Sequence, residues 1–178
     1  MASVTAVHKV KIRPLAVEHL QDVVAIERAV YNIGEAWPEE FFASELERGY
    51  TRYLVLLIDG KVVGYAGSWN LLEEMEVACV TIAPAWQGQG LGALLFANLV
   101  QYGLEEGVKA GTLEVRVDNE PALSVYRRFG FVTVGTRRRY YEGIYDASLM
   151  RVENMQDEEY KARVAEAAKK VKAGFVLE

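Results

Sequence analysis

Three glycines in five positions, Gly88, Gly90 and Gly92, separate an apolar β-rich run over residues 77–82 from a run with Leu91, Leu94, Leu95 and Leu99 at helical spacing. Strand, glycine-rich turn and helix in that order make an anion cradle. Glycine lets backbone N–H groups come close to a ligand, and a helix start adds unpaired amides and the positive end of the dipole. The expected tenant is a phosphate. A nucleotide P-loop would need Gly-Lys-Ser/Thr after the turn, and the chain has Gly92-Ala93-Leu94 instead. A dinucleotide fingerprint finds Gly88, Gly90 and the acidic Glu114 in the next strand, but its third glycine falls one residue early.

The elements that must position this turn can be read from periodicity. Residues 8–13 alternate as a short strand that stops at Pro14. Leu20, Val23, Val24, Val30 and Tyr31 recur at three- and four-residue spacing, which predicts a helix over 17–31. Pro38 suits a first helical position and opens a shorter helix with Phe41, Phe42 and Leu46. Runs at 53–58 and 62–69 flank Asp59-Gly60-Lys61, a hairpin signal. A strand over 75–82 leads into the glycine turn, whose helix continues to Gly107. Then come a strand over 112–117, a helix opened by Asp118-Asn119-Glu120-Pro121 and ending near Gly130, and strands over 131–134 and 144–152 joined through Arg137 to Tyr141. Residues 156–172 are acidic at the start and basic at the end, as a helix dipole favours, with a narrow stripe of Tyr160, Val164, Ala168 and Val171. The expected division is a domain over 1–155 and a helical extension over 156–178, packed on the domain or on a second copy.

Gln87-x-x-Gly90-x-Gly92, after a strand and opening a helix, resembles the acetyl-CoA pyrophosphate loop of the GNAT N-acetyltransferases, and the element order resembles that superfamily over residues 8–152. Ala36-Trp37-Pro38, Leu113-Glu114-Val115-Arg116, Asn119, Tyr126 followed by Phe129-Gly130-Phe131, and Arg139-Tyr140-Tyr141 resemble its RimI branch. Members of that branch acetylate protein N-termini, notably the N-terminal alanine of ribosomal protein S18. The resemblance implies a mixed α/β (α+β) fold, with a twisted, mostly antiparallel sheet of about seven strands flanked by helices. It implies acetyl-CoA as cosubstrate, held by Gln87, Gly88, Gln89, Gly90, Leu91, Gly92 and Ala93. Val80, Thr81 and Ile82 would hydrogen-bond the pantetheine arm, and Asn119 and Tyr126 would also meet the cofactor. Glu114 is implied as the base that takes the amine proton, Tyr126 as the acid for the departing thiolate, and Trp37, Tyr140 and Tyr141 as the surround of the acceptor. The loop after Tyr141 is shorter here than in that branch.

The chemistry is consistent with these roles. An α-amine titrates at about 7.7–8.0 and a lysine near 10.4, so an N-terminal acceptor needs less help to lose its proton, and a phenol with a pKa near 10 keeps its proton at neutral pH. Each residue also has a plainer reading. Glu114 could be a solvent-facing carboxylate paired with Arg116, Asn119 a helix-entry residue, the aromatic trio packing, and Arg137 to Arg139 a solvated face.

The composition bounds the function classes. A chain of 178 residues with 51% hydrophobic content suits one domain with a sizeable core, and a net charge of -5 argues against coating nucleic acid. The single cysteine, Cys79, expected in a strand core, cannot form an intramolecular disulfide, and the two histidines offer no metal-ligand spacing. No apolar run reaches a membrane span, and the residues before His8 lack a signal peptide's apolar core, so a cytoplasmic protein is expected, as a monomer or weak homodimer. Two other functions stay open: acetylation of a small-molecule amine or lysine side chain, and a noncatalytic acyl-CoA sensor, against which the presence of both Glu114 and Tyr126 argues.

Overall fold

The computed structural model describes residues 7–178. The stretch 1–6, on which the expectation about a signal peptide rests, lies outside them. Asp59 and Gly60 take φ of +50° and +82°, the conformation a tight two-residue hairpin requires, so that Ile58 pairs with Lys61. This turn joins β2 (Thr51–Ile58) to β3 (Lys61–Leu71). With β1 (His8–Pro14), β4 (Glu74–Ile82), β5 (Ala110–Arg116), β6 (Val132–Tyr141), β7 (Tyr145–Val152) and β8 (Phe175–Leu177) they form one sheet in the order β6-β7-β5-β4-β3-β2-β1-β8. All neighbours are antiparallel except β4 with β5 and β1 with β8.

Alternation along β2 shows how the sheet is covered. Leu54, Leu56 and Ile58 face a core shared with α3 (Leu91–Glu105), while Tyr53, Val55 and Leu57 face a second core with α1 (Leu20–Val30) and α2 (Glu39–Leu46). A strand buried on both faces reads as a continuous apolar run, as this one does. Pro38 is the cap of α2 and not its first residue. α4 (Glu120–Arg128) begins at Asn119, whose Oδ1 accepts from the Ala122 N–H at 3.3 Å.

Two expectations are corrected. Arg137 to Tyr141 is not a connection: it is the outer half of β6, which runs to Tyr141 before a short turn. The C-terminal helix is shorter than 156–172. α5 (Glu158–Ala168) packs Tyr160, Val164 and Ala168 into the core beneath α3, and the chain then adds β8 parallel to β1, which makes eight strands and not seven.

The feature that makes a site is a parting of strands. β4 and β5 pair from Glu74 with Ala110 to Val77 with Leu113, and no further. At that point β4 carries a bulge, because Gly67 pairs with Cys79 and Ser68 with Val77, leaving Ala78 extra. An extra residue bends its strand and increases local twist. β4 therefore continues along β3 to Ile82 and β5 along β7 to Arg116, with a gap between them.

Candidate active site

A cavity of about 840 Å³ opens where the two strands part. Its floor comes from Ala78, Cys79 and Val80 of β4 and from Glu114, Val115 and Arg116 of β5; Asn119, the cap of α4, and Tyr126 from the last turn of that helix complete it. The loop after α1 contributes Tyr31, Asn32, Glu35 and Trp37, and the β6–β7 turn region contributes Tyr140, Tyr141 and Glu142. Trp37, Val80, Glu114, Asn119, Tyr126, Tyr140 and Tyr141, drawn from five separate segments, thus meet in one place. Cys79 packs against the second core, as expected, with its thiol pushed up by burial, and part of the residue also lines the cavity.

Glu114 is held from two sides by β6. Its carboxylate pairs with Arg137 at 2.9 Å, and its main-chain carbonyl accepts from the Tyr141 hydroxyl at 3.3 Å. Arg116, the partner that proximity in sequence suggests, is elsewhere: its guanidinium makes two bonds to Asp118, at 3.0 and 2.7 Å, and lies 3.7 Å over the Tyr145 ring. Arg137 thus reaches Glu114 from the exposed face of β6, outside the cavity lining. Arg137 stands opposite Ala147 of β7, and Glu114 opposite Leu149 on the same face of the sheet, so the small Ala147 side chain lies beside Arg137 on the strand that separates the pair.

Tyr126 is buried edge-on to Phe96, with ring centroids 5.1 Å apart, and burial raises its hydroxyl pKa well above the usual phenol range. Burial likewise pushes Tyr31 and Tyr141 up to about 12. All three phenols hold their protons at neutral pH. Trp37 lines the cavity with one edge and packs against Phe41 at 4.3 Å, so it is both packing and wall.

Sequence reasoning missed a buried carboxylate on this wall. Glu27 is 2% exposed, accepts from the Tyr65 hydroxyl and from the Trp37 N–H at 3.1 Å, and burial raises its pKa. A signal existed, since Glu27 interrupts the stripe of Leu20, Val23, Val24 and Val30. Asn32 and Glu142, also missed, join the two loops across the cavity mouth by a 2.9 Å hydrogen bond.

The glycine loop lies at the far end of β4 and does not line this cavity. Gly88 and Gly90 take φ of +73° and +81°, and no side chain caps α3, so the amides of Leu91, Gly92 and Ala93 have no intrahelical acceptor. The Gln87 side chain ties the loop to β4, its Nε2 donating to the Ile82 carbonyl at 2.9 Å. Gln89 makes a weaker contact of the same kind to Ala85. Thr81 is buried, with its hydroxyl 3.0 Å from that of Tyr31, and Leu91 is buried, so only their main chains can meet a cofactor. Gly92 leaves an open patch above its Cα, where an added Cβ would meet only Ile82 at 3.7 Å. Such an exposed, glycine-lined row of amides fits a diphosphate.

The model described as the Acetyltransferase (GNAT) family matches residues 20–131, from α1 through the glycine loop, Glu114 and Tyr126. The chain belongs to the GNAT acetyltransferase family. N-alpha-acetyltransferase RimI of Mycobacterium tuberculosis is 38% identical over 125 residues, covering 68% of this chain and 77% of that one. The [ribosomal protein bS18]-alanine N-acetyltransferase of Escherichia coli is 33% identical over 117 residues, covering 64% and 78%. A crystal structure of the ribosomal-protein-S18-alanine N-acetyltransferase from Escherichia coli superposes with a TM-score of 0.74 at 29% identity, over 82% of this chain and 94% of that one. The RimI-like resemblance therefore holds, and this GNAT protein is an N-acetyltransferase of a family whose donor is acetyl-CoA. Spermidine N-acetyltransferase of Vibrio cholerae, as a chimera, shares the fold at 20% identity and a TM-score of 0.72. No group of metal-ligating side chains occurs among the described residues, and no helix among them is long and apolar enough to cross a membrane.

Proposed function

We propose that this enzyme acetylates the α-amine of a protein N-terminus in the cytoplasm, with the N-terminal alanine of ribosomal protein S18 as acceptor, by direct transfer in a ternary complex. The observation that carries the reading is the convergence of Glu114 and Tyr126 at the parting of β4 and β5, beneath a mouth framed by Trp37, Tyr140 and Tyr141. The names of the relatives support the acceptor class.

Acetyl-CoA supplies an activated thioester. The amides of residues 88–93 hold its diphosphate, and the backbone of Val80, Thr81 and Ile82, facing the gap, holds the pantetheine arm and polarises the carbonyl. Glu114, fixed by Arg137, takes the proton from the acceptor ammonium, directly or through a water. As the C–N bond forms and the C–S bond breaks, Tyr126 gives its proton to the sulfur, and the proton that the acylated nitrogen must still lose restores the phenol through water. Asn119, with Oδ1 committed to the α4 cap, offers its Nδ2 to the cofactor.

A second reading has its own support. Glu27, Glu35, Glu114, Asp118 and Glu142 line the cavity, and Arg116 is the one cation among the described residues that do so, a balance that suits a polycationic small amine. Incubation with acetyl-CoA and a panel of Ala-starting peptides, lysine peptides and polyamines, read by mass spectrometry, separates the two. Product on the α-amine of Ala-starting peptides is expected. Product on polyamines alone overturns the reading, and no product anywhere indicates an acyl-CoA sensor.

A further inference from the structure

Lys172 lies outside the residues that the family model matches, yet its side chain rests on the glycine loop. Its ammonium donates to the Gly88 carbonyl at 3.3 Å, and its stem crosses Gly90 so closely that a Cβ there would sit 3.0 Å from Cε. The backbone around Lys172 is anchored on both sides. Before it, Asn98 of α3 donates to the Ala168 carbonyl at 3.3 Å. After it, Phe175 packs against His8 and against Trp86 of the 3-10 turn that enters the loop, with centroids 5.8 and 6.3 Å apart, and the His8 N–H donates to the Gly174 carbonyl at 2.8 Å. Among the described residues Lys172 pairs with no carboxylate, as is also true of Lys11, Lys61, Lys169 and Lys170; what sets it apart is its contact with the Gly88 carbonyl.

We propose that Lys172 is a phosphate-binding residue: its ammonium exchanges the Gly88 carbonyl for the diphosphate of acetyl-CoA seated on the loop amides. The inference rests on the acetyl-CoA reading above. The loop itself offers only partial positive charges, from amides and the α3 dipole, against a group carrying two negative charges. A full cation already held beside those amides completes the neutralisation, and an anchored backbone leaves less of the lysine's freedom to be lost on binding. The residues after α5 thereby contribute to the donor site as well as to the sheet.

Calorimetric titration of the full chain with acetyl-CoA at low ionic strength tests this. Lys172→Ala is expected to weaken binding about five- to tenfold. Lys172→Arg, which keeps the charge, should stay within about twofold of the wild type. The loss should shrink in about 0.5 M salt, where exposed charges are screened. It should persist with 3′-dephospho-CoA, because the diphosphate remains. Equal affinity of Lys172→Ala and wild type overturns the proposal. So does an equal loss in Lys172→Arg, which would trace the effect to packing on Gly90, or a loss that vanishes with 3′-dephospho-CoA. Failure of the wild-type chain to bind acetyl-CoA would instead overturn the donor assignment itself.

Discussion

Substituting Gly92 by alanine separates the needs of the fold from those of the ligand. Gly92 is the second residue of α3, and an added Cβ would meet only Ile82 Cγ1, at the ordinary contact distance of 3.7 Å. Without ligand the methyl costs nothing sterically, and replacing glycine by alanine in a helix stabilises by up to about 1 kcal/mol, or roughly 2–4 °C in a domain of this size. In the complex the same methyl stands where the diphosphate must approach the first-turn amides. Losing one charge-assisted hydrogen bond of about 1.5–3 kcal/mol weakens acetyl-CoA binding about 10- to 100-fold. Gly88 is the internal control. It takes φ of +73° with nothing within 4 Å of an added Cβ, so Gly88→Ala carries backbone strain of about 1–2 kcal/mol and lowers the melting temperature by several degrees. Thermal melts and calorimetry on the three proteins give the answer. A Gly92→Ala chain that binds acetyl-CoA within about twofold of wild type would refute the placement of the donor.

Three further outcomes are expected. Tyr126→Phe keeps its ring packed on Phe96 and so should melt normally and bind acetyl-CoA normally, while kcat falls about a hundredfold; unchanged turnover in steady-state assays removes it from the mechanism. Glu27→Ala strips the acceptor from the Tyr65 hydroxyl and the Trp37 N–H, which should cost about 3 kcal/mol and roughly 6–12 °C by calorimetry; a melt within about 2 °C of wild type contradicts its role as a buried support. The acceptor must be neutral, so kcat/KM should rise with pH up to the α-amine pKa near 8 and then level off. Burial holds Tyr126 above the usual phenol range and Tyr31 and Tyr141 near 12, so no decline centred at about 10 is expected; a descending limb there would show that a cavity phenol titrates normally.

The sequence by itself determined the order of elements from β1 to α5 and singled out the glycine loop as the candidate donor site. Both are local: the Asp59-Gly60 turn, the apolar stripes of α1 and α3, and the glycine spacing act within a few residues of themselves. It also singled out Glu114 and Tyr126, but it did not reveal what surrounds them. That Glu114 pairs with Arg137 and not with Arg116, that β4 parts from β5 at Val77, and that Glu27 stands buried on the cavity wall depend on strand order, on a one-residue bulge and on which stripe faces which core. No spacing along the chain encodes these. The same holds for β8 and Lys172, because a three-residue strand is too short for periodicity and gains its place only from the edge of β1. Local rules set the pieces because turns and helices close over short distances. Tertiary structure decided the charges around Glu114 because those contacts join residues far apart in sequence.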